Sequence, residues 1–251
     1  MTRKQRVAAA FGAAATTYDS AAEAQVRSAD LLAARVLAAG LPPTPRVLEF
    51  GCGTGLLTRR LLPALGGAWT VTDLAPAMVA ACRAALPDAD AEFRTMDGER
   101  PDLPANSLDL VVSNLAAQWF TDLPAAIERL AACLKQGGRL ILTTLGAGSF
   151  AEWRQAHGAL GLACGTPEYP SAIDLAGELA PFGVHEVVAA PVVVRYANGM
   201  AFLRALKAVG AGTPAADHRP LPPGDLRRVI AALGAPCAIT YEVLTVDLCR
   251  P

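Results

Sequence analysis

Val47-Leu48-Glu49-Phe50-Gly51-Cys52-Gly53-Thr54-Gly55 joins a short apolar run, closed by an acid, to three glycines at every second position. Leu56-Leu57-Thr58-Arg59-Arg60-Leu61-Leu62 then resumes with helical spacing, so the segment reads as strand, tight turn and helix. Glycine reaches positive φ without a Cβ clash and lets a ligand lie against bare backbone. The helix behind the turn aims free N–H groups and its positive dipole end into it, which suits an anionic group. Asp73 closes a second strand-like run, Trp69-Thr70-Val71-Thr72. That is ~20 residues on, where nucleotide-binding α/β folds carry the acid that takes ribose hydroxyls.

The spacing separates two ligand classes. A dinucleotide fingerprint places its third glycine one position later, where Leu56 stands. Glu49 would repel a pyrophosphate but would suit a ligand with an ammonium group near its adenosine, as in S-adenosylmethionine. Glu49-x-Gly51-x-Gly53-x-Gly55 followed by Asp73 resembles the cofactor motif of class I methyltransferases.

Of 251 residues, 53% are hydrophobic and 18% charged, with a net charge of -1. A large core is available, and nucleic-acid binding driven by bulk charge is excluded. The six cysteines show no C-x-x-C and no nearby histidine pair, so free thiols are expected, with no metal site and no disulfide framework. No apolar run reaches the ~18 residues of a membrane span. Arg3-Lys4-Gln5-Arg6 before an alanine-rich run imitates a signal peptide, but only Val7 and Phe11 are large apolar residues there. The segment reads as a helix and the protein as cytoplasmic.

Along the chain, residues 3–13 and 21–39 read as helices, the second with Ala24, Leu31, Leu32 and Val36 on one face and stopped by Gly40 and Pro42-Pro43. Helix 77–85 follows Pro76, and strands follow at 91–95 and 108–113. Asp122 caps a helix running to Leu134 and closed by Gly137-Gly138, ahead of a fifth strand at 139–145. Five strands alternating with helices say doubly wound α/β, with ligands at the carboxyl ends of the strands. Beyond Gly146 the alternation loosens into helices at 149–162, 173–179, 200–209 and 226–233, strands at 187–196 and 239–249, and a loop at 210–214. Pro191 marks a bulge or an edge strand.

Several residues carry candidate chemistry. Asp97 stands where it would accept from an adenine amino group, with Met96 over the ring, and Ser113-Asn114 ends the fourth strand beneath the methyl donor. Trp119 is a candidate wall of the acceptor pocket. Arg204 and Lys207 lie three apart on one helix, placing both cations on one face for a carboxylate. His157, His185 and His218 sit in contexts that favour structural roles. Methyl transfer to an anion is an in-line displacement that needs positioning and desolvation more than a base.

Further motifs widen the resemblance. Phe11-Gly12-x3-Thr16-x-Tyr18-x4-Glu23-x-Gln25, Asp109-Leu110-Val111-Val112-Ser113-Asn114-Leu115-Ala116-x-Gln118-Trp119, Leu206-Lys207-x2-Gly210-Ala211 and Thr240-Tyr241-Glu242-Val243-Leu244 resemble the malonyl-acyl-carrier-protein O-methyltransferases of biotin synthesis. The resemblance implies a class I methyltransferase, Rossmann-like α/β fold: a seven-stranded, mostly parallel sheet with an antiparallel last strand. It implies one domain over 1–251, with a helical lid at 1–40, a cofactor core at 44–145, a substrate-side elaboration at 146–235 and the last strand at 238–250. It implies methyl transfer from S-adenosylmethionine, without a metal, to the free carboxylate of a malonyl group on acyl carrier protein or coenzyme A, by a monomer that engages neither nucleic acid nor membrane. Gln25, Leu74 and Gly98 join the cofactor set. Tyr18 would close over the cofactor and Arg204 would hold the malonyl carboxylate. Gly234-Ala235-Pro236-Cys237-Ala238 departs from the family's pattern, leaving Arg3, Lys4, Arg6, Arg227 and Arg228 as cations that could meet an acidic carrier. Competing readings are a methyltransferase for another small acid or phenol, and a non-catalytic cofactor-binding protein.

Overall fold

The computed structural model describes residues 1–213 and 218–251; Pro214, the end of the expected loop at 210–214, lies outside the described residues. Seven strands form one sheet in the order β3-β2-β1-β4-β5-β7-β6. β1 (Arg46–Phe50), β2 (Ala68–Asp73), β3 (Ala91–Thr95), β4 (Leu108–Ser113) and β5 (Leu134–Leu145) pair in parallel. β7 (Cys237–Cys249) runs antiparallel between β5 and β6 (Val184–Tyr196). Chain order reverses between β1 and β4, which opens a crevice at their carboxyl ends.

Alternation along the strands sorts the core into two layers. Val47, Val71, Leu110, Val112 and Ile141 face helices α2 (Glu23–Leu37) and α3 (Thr58–Leu65) through Leu32, Val36 and Leu61. Leu48, Phe50, Val111, Leu140 and Leu142 face α5 (Leu123–Cys133) and α7 (Ala172–Leu179) through Ile127, Leu130, Leu175 and Leu179. Truncating a fully buried residue such as Leu110 would cost about 2–5 kcal/mol. A third cluster, with Phe150, Phe202, Tyr241 and Val192, lies under α6 (Ala151–Gly158) and α8 (Gly199–Ala208). The other helices are α1 (Arg3–Ala14), α4 (Pro76–Ala85) and α9 (Pro223–Ala232).

Several details refine the sequence reading. The buried stripe of α2 runs Ala24, Ser28, Leu32, Val36, flanked by Ala29 and Ala33, which leaves Leu31 49% exposed on its edge. α5 stops at Cys133 and β5 already begins at Leu134: Leu134 pairs with Leu108 and Arg139 with Leu110, so Gly137-Gly138 sits in a bulge, bonded to Arg250. α6 starts only at Ala151, because Phe150 is left-handed at φ 59° and its N–H donates to the Thr240 carbonyl. Pro191 occupies an edge strand as expected, but the irregularity in β6 falls between Val184 and Glu186. No helix among the described residues is long and apolar enough to cross a membrane.

Candidate active site

The glycine turn follows β1 directly. Gly51 has φ 65°, and a Cβ there would come within 2.3 Å of the Ala116 Cβ, so the turn is pressed against the segment leaving β4. Gly53 N–H donates to Asp73 Oδ2 at 3.0 Å and Ala75 N–H to Oδ1 at 2.8 Å, which fixes the carboxylate at the tip of β2. Burial raises the Asp73 pKa against these bonds. Gly51, Gly53, Asp73, Leu74, Met96, Asp97, Gly98 and Asn114 line a cavity of ≈ 90 Å³, roofed by Lys4, Val7, Ala8 and Phe11 of α1. This is far below the ~300–1,000 Å³ of ordinary ligand pockets, so α1 is drawn down over the cleft.

Four expected members, Gly55, Ser113, Glu49 and Gln25, stand apart from the cavity wall. Gly55 packs behind the turn on Cys82, and Ser113 is buried with an unpartnered hydroxyl. Glu49 is 1% exposed, with one carboxylate oxygen unpartnered. Burial, then Cys82 and Asp73, push its pKa well up, opposed by a bond from Thr58. The reason is alternation: Glu49 shares the Val47 face of β1, which α3 covers, and does not face the ligand crevice. Gln25 lies with the larger cavity described below, while its carbonyl accepts from Asn114 Nδ2 at 3.0 Å. Asn114 Oδ1 accepts from Ser28 and Thr143, so Asn114 ties α2 to the ends of β4 and β5.

Side chains that the sequence reading did not assign to the site hold α1 in place. Lys4 Nζ meets Asp97 Oδ2 at 2.5 Å and also pairs with Glu99. Burial works against the Lys4 charge, yet its bonds to Asp97 and Glu99 raise its pKa overall. Glu99 is buried and also accepts from the N–H groups of Thr121 and Asp122. Arg3 donates to the Trp119 carbonyl at 3.1 Å and lies 5.9 Å from the ring centroid. Arg3 and Lys4 therefore hold α1 against the cleft, and both stay partly exposed. Asp19 accepts from Thr54 Oγ1 at 2.5 Å and pairs with Arg59 at 3.3 Å.

A second cavity of ≈ 580 Å³ adjoins the first, and Phe11, Tyr18, Leu115 and Trp119 line both. Leu115 adopts φ 49°, an uncommon conformation for a bulky residue, and its N–H is held by Thr143. Phe150, Trp153, Phe202 and Tyr241 form an aromatic wall, with Phe150 and Tyr241 edge to face at 4.9 Å. Tyr18 keeps its proton: burial, then Asp73, Asp19 and Cys52, raise its pKa far above the usual phenol range. Burial likewise raises Tyr169 to about 12.

Lys207 is the one Lys, Arg, Asp or Glu of this wall among the described residues. Arg204 lines neither cavity, whereas Phe202, Leu203, Leu206 and Lys207 of α8 line the larger one, Phe202 buried and Lys207, like Arg204, exposed. Gln118 Nε2 donates to the Leu115 carbonyl at 2.6 Å, leaving Oε1 buried without a partner. His157 bonds through Nδ1 to the Trp153 carbonyl, and His218 lies on Gly165; both line the wall, whereas His185 is exposed on β6.

The geometry is a glycine-walled cleft opening onto a large aromatic chamber with a single amine. The Methyltransferase domain family matches residues 48–142. The biotin biosynthesis bifunctional protein BioCD of Bordetella avium is 44% identical over 238 residues, 94% of this chain, which spans half of that protein's length. A malonyl-[acyl-carrier protein] O-methyltransferase of Magnetococcus marinus is 39% identical over 248 residues, covering 96% of this chain and 91% of that one. The Haemonchus contortus phospholethanolamine N-methyltransferase 2, solved with phosphomonomethylethanolamine and S-adenosylhomocysteine, shares the fold at 16% identity and TM-score 0.57, over 88% of this chain and 52% of that one. Identical at 39% of positions to a relative of which it covers 91%, the chain belongs to the malonyl-[acyl-carrier protein] O-methyltransferase family.

Proposed function

We propose that this chain transfers a methyl group from S-adenosylmethionine to the free carboxylate of a malonyl thioester, on acyl carrier protein or coenzyme A, early in biotin synthesis. The observation that carries this reading is the junction of the two cavities at Phe11, Tyr18, Leu115 and Trp119, with Lys207 as the charged side chain of the larger wall.

The cleft residues fit an adenosyl cofactor. A Cβ at Gly51 would fill the close approach to Ala116, and Asp73 retains lone pairs for ribose hydroxyls beyond its two backbone bonds. Asp97 offers the acceptor for an adenine amino group once Lys4 yields it, and Met96 and Leu74 supply apolar cover. Such a cofactor, when bound, supplies an electrophilic methyl group on a sulfonium.

The chain's residues supply the rest. A carboxylate is already ionised at neutral pH, so the protein orients it and excludes water without a general base. Lys207 meets its charge. Arg204, expected to share that task, is left as an exposed cation of α8. Tyr18, kept protonated, donates at the junction. The aromatic wall holds the uncharged part of the acceptor and keeps the reacting carboxylate dry. The lid at 1–40, core at 44–145, elaboration at 146–235 and last strand at 238–250 are the parts of this proposal, as is a monomer working in the cytoplasm.

The test is methyl transfer from labelled S-adenosylmethionine to malonyl carrier protein and malonyl coenzyme A, with succinyl and acetyl thioesters as controls. Malonyl but not acetyl thioester is methylated if the free carboxylate is the acceptor. Cofactor binding with no thioester methylated overturns the proposal and leaves another acid or a phenol as the acceptor.

A further inference from the structure

Resting on the malonyl thioester reading, we infer that Thr17 and Asp19 are positioning residues: the turn Thr17-Tyr18-Asp19 straps the cofactor loop to the acceptor wall, so that each ligand strengthens binding of the other. All three residues make contacts in different directions from one turn between α1 and α2. Asp19 accepts from Thr54 Oγ1 at 2.5 Å and pairs with Arg59, gripping the glycine turn at its centre and the helix after it. Thr17 Oγ1 donates to the Ala208 carbonyl at 2.8 Å, one residue beyond Lys207. Tyr18, between them, lines both cavities, its ring about 4.0 Å from where a Gly53 Cβ would stand.

A second contact fixes the acceptor end of the strap. Gly210, just past α8, has φ 75°, and a Cβ there would lie 2.9 Å from the Ala10 carbonyl and the Phe11 Cα. The end of α8, which carries Lys207, is thus seated on the lid helix, and a shift of the turn is felt at both cavities. Within the turn, the N–H groups of Thr17 and Tyr18 both donate to the Ala14 carbonyl, so the strap moves as a unit. Ordering this turn costs conformational freedom. A ligand that settles the glycine loop meets that cost once, and the second ligand finds its wall already ordered. Linkage makes the effect equal in both directions.

The experiment measures binding, by calorimetry, of malonyl coenzyme A to the full chain with and without saturating S-adenosylhomocysteine, and the reverse titration. The wild-type protein shows coupling of about tenfold, equal in the two directions. Asp19→Ala and, separately, Thr17→Val reduce coupling to below about twofold. Each ligand's affinity in the absence of the other changes by less than about threefold, and Asp19→Glu restores the coupling. Wild-type protein that binds both ligands independently overturns the inference, as do variants that keep wild-type coupling. Variants that weaken both ligands equally while preserving coupling also overturn it, because that is the signature of a merely structural role. Absence of malonyl coenzyme A binding by the wild type would count against that carrier alone, and the same titrations with malonyl carrier protein then decide the inference by the same outcomes.

Discussion

The cofactor half and the acceptor half of this molecule are built on opposite plans. The cofactor half is a short loop between adjacent strands, with its glycines, Asp73 and Asp97 at strand ends and their carboxylates held by backbone N–H groups. The acceptor half is assembled from distant segments, with Phe150, Phe202 and Tyr241 brought together by β7 and the helices laid on it. The first is preset by backbone. The second is a wall of side chains around one amine, and its selectivity can change by substitution without disturbing the sheet.

Substitutions in each half break this contrast in order of effect. Gly51→Ala has the largest, since forcing Cβ into a left-handed residue costs about 1–2 kcal/mol and overpacking Ala116 adds about 1–3 kcal/mol. We expect calorimetric affinity for S-adenosylmethionine to fall about 100-fold; a change under threefold would mean that the loop gives way and is no preset cradle. Tyr18→Phe removes a donor at the junction and should lower kcat about tenfold, on the order of one hydrogen bond to a charged group. Because Tyr18 holds its proton well past the usual phenol range, the wild-type rate should show no decline from Tyr18 ionisation up to about pH 10. A Tyr18→Phe rate profile that removes a titration below pH 10 would show that the phenol ionises in the working range.

Glu49→Gln separates loop support from ligand contact. Glu49 has a raised native pKa, so rising pH ionises the unfolded chain first, and the native state loses stability from the usual carboxylate range up to the native value. At pH 7 the Gln variant should therefore melt a few degrees higher than wild type, about 2–4 °C per kcal/mol of relieved burial. The difference should vanish near pH 4. A lower melting temperature at pH 7 would show that the carboxylate is stabilising as an anion. The smallest effect is expected of Lys4→Met, which removes the Lys4–Glu99 pair that still ties α1 down once Lys4 has yielded Asp97. Partly exposed ion pairs contribute about 0–1 kcal/mol, so cofactor release in stopped flow should quicken only a few-fold. An unchanged rate would leave the lid without a latch.

The contrast also decides what the sequence reveals. The strand, glycine turn, helix and Asp73 are legible because period and punctuation act over a few residues, and β4 declares itself by being apolar on both faces. The same alternation puts Glu49 on the Val47 face of β1, although its place ahead of the glycines suggests a ligand contact. The Lys4–Asp97 pair spans 93 residues and Asp19–Thr54 spans 35, separations at which no local pattern speaks. Arg204 and Lys207 mark the limit of helical spacing: three residues turn a helix by about 300°, leaving ~60° between them. The cavity edge falls in that gap, with the exposed Lys207 on its lining and Arg204 beyond it. Only the packing of α8 on the wall decides which of the two lines the cavity.

Lys207→Met gives the most direct test of two halves with separate tasks, through the partition of its effect between cofactor Kd and acceptor KM. We predict a KM for malonyl thioester raised at least tenfold, with S-adenosylmethionine Kd in the absence of acceptor within twofold of wild type. Equal losses in both constants, or an unchanged KM, would contradict the assignment of the acceptor carboxylate to the Lys207 wall.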